Sequence, residues 1–172
     1  MIVTDFFHDM SQLALKWIFV LDADYAWPSG RQFTEDCAFE DGSGRRWLEI
    51  RRNGVIKVLV GYAWDGCTPK FSFWDICVGT PDGVPNAITK KPKAYYASLL
   101  HDVLYQFSIQ ELPAPLDRRR EIDKVFLALL ERDGFAPRWI YYWIVRIFGG
   151  LFFHAYTRHK RRYKGRKIPL QK

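Results

Sequence analysis

Cysteine is scarce in this chain. Cys37, Cys67 and Cys77 are the only three in 172 residues. An odd, small set cannot close a disulfide framework, so a reduced setting is expected and Cys37 and Cys77 read as small buried hydrophobes. Histidine is also sparse, with four residues. His8, His154 and His159 do not fall at metal-ligand spacing with His101 on a helix, which argues against a His–Asp metal phosphohydrolase. Cys67 and Cys77 are too widely spaced for a zinc pair. No nucleophile elbow is present, which argues against a Ser-His-Asp triad. The N-terminus, Met1 to Met10, has acids where a signal peptide needs bases, so none is expected. Long apolar runs are missing too. Leu13 to Leu21 is short and broken by Lys16. Trp139 to Tyr156 carries Arg146 at its middle and Gly149-Gly150, so it reads as a buried or interfacial helix pair rather than a membrane span.

Acids are absent from the end of the chain. The formal charge is +7, and Arg158 to Lys172 holds eight Lys/Arg and no Asp/Glu. The remaining 157 residues have a net charge of −1. Nucleic acid is therefore not the expected partner, since the basic character sits in a tail and not over the body. Aromatics, by contrast, are abundant at 17%. They crowd the 139–156 stretch beside the basic residues Arg158, Lys160, Arg161 and Arg162. With Trp139, Tyr142 and Trp143 these define a candidate membrane or partner surface, because apolar and basic elements together bind anionic membranes better than either alone.

The pattern predicts one α+β domain over 1–157, with a basic tail over 158–172. The start, to about Leu21, is expected to be helical. Residues 25–63 read as antiparallel β-hairpins, with Asp41-Gly-Ser-Gly44 as one turn and Asn53-Gly54 as a two-residue turn with positive φ at both positions. Residues 62–91 read as a long loop. Residues 92–156 read as helical: one helix from Pro92 to about Phe107, a second from an Asp117 cap to Arg132 with Gly134 as its stop, then an aromatic helix from Pro137. Pro113-Ala-Pro115 is expected to return the second helix antiparallel to the first.

The chemistry concentrates on the first two helices. His101 and Tyr105 are four apart and share a face, while Asp102 turns to a flank. Asp123 shares a stripe with Leu127 and Leu130, which puts a carboxylate against the helix–helix seam. A buried carboxylate needs partners, and the His–Tyr pair can supply them, with His101 Nδ1 expected within about 3 Å of Asp123. Asp65 leaves the last strand, and with Asp102 it offers hard oxygens suited to Ca²⁺.

These residues resemble two families. Gly61-Tyr-Ala-Trp-Asp-Gly-Cys-Thr-Pro69, Ala97-Ser-Leu-Leu-His-Asp-Val-Leu-Tyr105, Arg120-Glu-Ile-Asp-Lys-Val-Phe-Leu127 and the Gly-ended helix Tyr142 to Gly149 are similar to an uncharacterised phage and prophage family with a domain of unknown function. The order His101-Asp102-x-x-Tyr105 with Asp123 22 residues after the histidine resembles the prokaryotic branch of the phospholipase A2 superfamily. That likeness implies His101 as general base, Asp123 as its orienting partner and Tyr105 as a donor to Asp123. It implies Ca²⁺ held by Asp65, Asp102 and the Gly66 carbonyl. The chain departs from that branch in having Ser98 where a cysteine would pair with Cys67, and in a longer gap between Asp65 and His101.

Two readings follow. One is a calcium-dependent hydrolase of phospholipid acyl esters, acting at a phospholipid or membrane surface. The other is a non-enzymatic phage structural or host-interaction protein that keeps the scaffold and binds a virion or host protein. Either would be cytoplasmic or virion-associated, and the first peripheral at a membrane.

Overall fold

The computed structural model describes residues 19–64, 66, 85–108, 111–147 and 165–170, and the backbone of 71–73 and 76–78. The strands are β1 (Phe19–Val20), β2 (Tyr25–Pro28), β3 (Cys37–Glu40), β4 (Arg46–Ile50), β5 (Val55–Val58), β6 (Ala63–Trp64), β7 (Phe71–Phe73), β8 (Ile76–Val78) and β9 (Arg166–Pro169). The helices are α1 (Tyr95–Phe107), α2 (Arg119–Arg132) and α3, residues 138–147. The class is α+β, with hairpins first and helices after them.

An antiparallel sheet runs in the order β2-β5-β4-β3-β9. Its β3–β4 and β4–β5 hairpins close the same way. Asp41 N donates to Arg45 O and Arg51 N to Val55 O, so each loop has three residues and ends on a glycine of positive φ, Gly44 (83°) or Gly54 (92°). This is the longer hairpin loop in which only the last residue is left-handed. The hairpin expected at Asn53-Gly54 is present, but Asn53 is not at positive φ; the loop is one residue longer than a two-residue turn. Asp41 also accepts from Ser43 N (2.8 Å) and Trp47 Nε1 (2.7 Å). Burial works against its charge, but these bonds outweigh burial and hold its pKa down at about 2.

The sheet packs its apolar side chains on α1. Leu48, Ile50, Ile56, Val58 and Phe39 are fully buried, and the Phe39 and Phe107 rings lie 5.6 Å apart. On α2 the buried residues Ile122, Asp123, Val125, Phe126, Leu129 and Leu130 follow helical spacing against α1. Gly134, at φ 63°, ends α2, and Phe135 N returns to Leu130 O at 2.9 Å.

Several boundaries differ from the sequence reading. α1 starts at Tyr95, with Pro92 in the preceding turn, where its carbonyl accepts from Tyr95 N. Arg118, not Asp117, caps α2, and no side-chain cap bond is made. The stretch read as a loop over 62–91 contains β6 and the β7–β8 hairpin, which are too short for periodicity to register. Residues 19–20, expected to end a helix, pair with β6, and residues 1–18 lie outside the described residues. The basic tail is not all tail. β9 extends the sheet beside β3, with Arg166 on Glu40 (3.0 Å) and Lys167 on Glu35. Four residues with two bases and a terminal proline carry little strand signal, but an edge strand tolerates all of these.

Candidate active site

Asp123 is the centre of the site. It is 0% exposed in the α1–α2 seam. Its Oδ1 accepts from Tyr105 OH at 2.6 Å and faces His101 Nε2 at 3.2 Å. One helical turn separates His101 and Tyr105, so α1 delivers both to one carboxylate oxygen. The imidazole is held further by rings, with Tyr105 at 4.2 Å and Phe126 at 5.0 Å between centroids.

The nitrogen facing Asp123 is Nε2, not the Nδ1 expected from sequence. Asp123 only accepts, so Nε2 carries the proton of the neutral ring and Nδ1 carries the lone pair. Nδ1 faces Asp102 Oδ1 at 3.9 Å, beyond hydrogen-bond reach. Asp102 is half-buried, and among the described residues no lysine or arginine pairs with it.

Two arginines complete the cluster, and the sequence alone assigns chemistry to neither. Arg146 of α3 donates Nη1 to Asp123 Oδ2 at 2.7 Å. Arg119, one turn before Asp123 on α2, places Nε 3.6 Å from the same oxygen and donates Nη2 to the carbonyls of Val145 and Arg146. The signals were available: Arg119 and Asp123 are four apart, and a lone charge inside the apolar run 139–156 demands a buried partner.

The electrostatics follow from this packing. Burial opposes the charged carboxylate of Asp123, but His101, Tyr105 and Arg146 outweigh it and hold its pKa below the ordinary value. Burial also opposes a charged His101, yet the Asp102 and Asp123 carboxylates prevail and raise its pKa. Burial and Asp123 push the Tyr105 hydroxyl up, so it stays a donor. Asp123 raises Arg146 in turn.

The structure thus brings together His101, Tyr105 and Asp123, with Asp102 beside them. Gly66 is buried, with φ 78°. Trp64, at the end of β6, donates Nε1 to Ser98 Oγ at 3.1 Å, which ties the end of β6 to the turn before His101. Asp65 and Cys67 lie outside the described residues. Among the described residues no group of three or more His, Cys, Asp and Glu is placed to hold a metal ion. On α3, Trp139, Ile140, Trp143 and Ile147 are more than half exposed, Tyr142 is half-buried, and Tyr141 and Val145 face inward. Arg158, Lys160, Arg161 and Arg162 lie outside the described residues. No helix among the described residues is long and apolar enough to cross a membrane.

No protein-family model, curated protein or solved structure matches this chain.

Proposed function

We propose that the protein is a calcium-dependent hydrolase of phospholipid acyl esters, of a phage or prophage. The observation that carries this reading is the His101 ring with Nε2 on buried Asp123 and the Nδ1 lone pair left for chemistry. In the proposed reaction Nδ1 takes a proton from water while the water oxygen bonds to the ester carbonyl carbon. The carbonyl electron pair moves to oxygen. On collapse the bond to the alcohol oxygen breaks, and His101 returns the proton to that leaving oxygen. The products are a fatty acid and a lysophospholipid. Asp123 and Tyr105 keep the ring oriented through both proton transfers.

The donor chemistry suits Ca²⁺, since Asp102 is a half-buried carboxylate that pairs with no lysine or arginine among the described residues. Asp102, with Asp65 and the Gly66 carbonyl, would hold the ion. Bound there, calcium would polarise the ester carbonyl and stabilise its oxyanion. The exposed face of α3, followed by the basic residues 158–162, fits a phospholipid surface. That placement suits a protein of the cytoplasm or virion that is peripheral at the membrane.

The test is hydrolysis of phospholipid vesicles with Ca²⁺ or with EDTA. Turnover should need Ca²⁺ and fall about 10²–10⁴-fold in His101→Ala. Equal turnover by the two proteins would overturn the reading.

One observation favours the second reading. Asp123 is so fully partnered by His101, Tyr105 and Arg146 that the cluster could serve as a buried network that fixes packing. The protein would then be a non-enzymatic phage structural or host-interaction component. Its melting temperature would not respond to Ca²⁺. A Ca²⁺-induced rise that is lost in Asp65→Asn would exclude it.

A further inference from the structure

Three helices meet at one carboxylate in a closed ring. Arg119 of α2 donates to the Val145 and Arg146 carbonyls of α3. Arg146 of α3 donates back to Asp123 Oδ2 at 2.7 Å. Asp123 stands four residues after Arg119, which closes the ring through α2. Both arginines meet Asp123 at Oδ2, leaving Oδ1 for His101 and Tyr105.

We propose that Arg146 is a positioning residue: through this ring it fixes the rotation of Asp123 and so selects the tautomer of His101. The inference rests on the hydrolase reading for its consequence in turnover, but its geometry is independent of that reading. The imidazole has two carboxylates to choose between. Asp123 lies 3.2 Å from Nε2, and Asp102 lies 3.9 Å from Nδ1. Both only accept, so in the calcium-free protein they compete for the single proton of the neutral ring. Asp123 wins because its oxygen is in hydrogen-bond range and held there. If Asp123 rotates, the proton can move to Nδ1 and face Asp102. A ring with Nδ1–H has no lone pair where the water is activated, so base catalysis is lost without loss of the fold. Arg146 resides on the helix that exposes Trp139, Ile140, Trp143 and Ile147, so α3 joins an apolar outer face to the inner geometry of the site.

The experiment reads the tautomer by ¹⁵N NMR of the imidazole in EDTA, at a pH above the raised pKa of His101, where titration shows the ring to be neutral. Wild type should show the Nε2–H form. Arg146→Met should show a mixture of Nε2–H and Nδ1–H. Arg146→Lys, which restores one donor, should recover most of the Nε2–H form. Arg138→Met, which removes a charge from the same helix away from the site, should leave the tautomer as in wild type. In parallel, kcat on phospholipid should fall about 10–100-fold in Arg146→Met with KM little changed. A folded Arg146→Met with the wild-type tautomer overturns the inference, whatever its activity. If Arg146→Met does not fold, wild-type and Arg146→Lys decide: wild type holding Nδ1–H overturns it, and Nε2–H in both supports it. A tautomer shift in a protein with no hydrolysis supports the positioning role and removes the hydrolase reading alone.

Discussion

The sheet and the helix pair treat buried acids in opposite ways. Glu40 and Glu49 of the sheet are nearly buried, but each pairs with an arginine that reaches water: Arg166 is 71% exposed and Arg46 40%. Asp123 is 0% exposed, and its partners come from three helices that all point inward to it. Pairs at a wet rim contribute little and can be lost singly. A desolvated carboxylate is costly to install and costlier to orphan. The sheet is therefore held by apolar packing, with charge at its margin, whereas the helix seam is organised around a charge.

The sharpest way to break this contrast is Asp123→Ala. It strands Arg146, Arg119 and His101 around an empty site. Denaturant unfolding should show a loss of about 3–5 kcal/mol. Acid titration separates charge from shape. The folded pKa of Asp123 lies below its ordinary 3.8, so its contribution is complete above that value. The contribution is lost as pH falls through the lowered folded value. Asp123→Asn should lack that part of the acid transition, and an unchanged acid profile would show that the carboxylate charge is not what the seam is built around.

In the sheet, the largest effect belongs to backbone geometry and not to charge. Gly54 sits at φ 92°, and a Cβ there would lie 2.1 Å from the Arg31 carbonyl oxygen. Gly54→Ala should cost about 1–3 kcal/mol, measured by thermal or denaturant unfolding. A neutral result would mean that the β4–β5 loop and the Arg31 segment can separate without penalty.

Gly54 also shows what was legible in the chain. The Asn-Gly pair announced a hairpin between two β-rich runs, and the hairpin is there. Its loop length was not legible, because the same glycine serves a two- or a three-residue loop and only the pairing of Arg51 with Val55 decides. The helices were legible because Leu99, Leu100, Val103, Leu104 and Phe107 crowd one buried side, and α1 ends where expected. Within the site, the meeting of His101, Tyr105 and Asp123 could be read from local spacing on two helices. For Arg146 only the need for some acid could be read, because which acid it meets depends on how α3 docks. β9 was hidden for the same reason: its partner β3 lies 126 residues earlier at the Arg166–Glu40 pair.

A milder test concerns packing at the sheet centre. Ile56 is fully buried opposite Ile50 and Trp27. Ile56→Val removes one methylene from a close-packed face and should cost about 0.5–1.5 kcal/mol by denaturant unfolding. No loss would mean that the face is loosely filled, and the contrast with the charge-centred seam would weaken.

The smallest effect is expected where β9 meets β3. Arg166 donates to Glu40 at 3.0 Å, but its side chain is mostly in water. Arg166→Ala should therefore cost only about 0–1 kcal/mol, and less in high salt. The strand itself is held by backbone pairing, with Ala38 opposite Ile168 and Cys37 opposite Pro169. A loss several times larger would mean that Glu40 behaves as Asp123 does, as a buried charge that depends on its partner. Two bases of the C-terminal stretch would then belong to the fold through Glu40 and Glu35. Because Arg166 and Lys167 already meet acids of the body, five of the eight bases of 158–172 are left to residues 158–164, so a search for attraction to an anionic surface belongs with those five and not with β9.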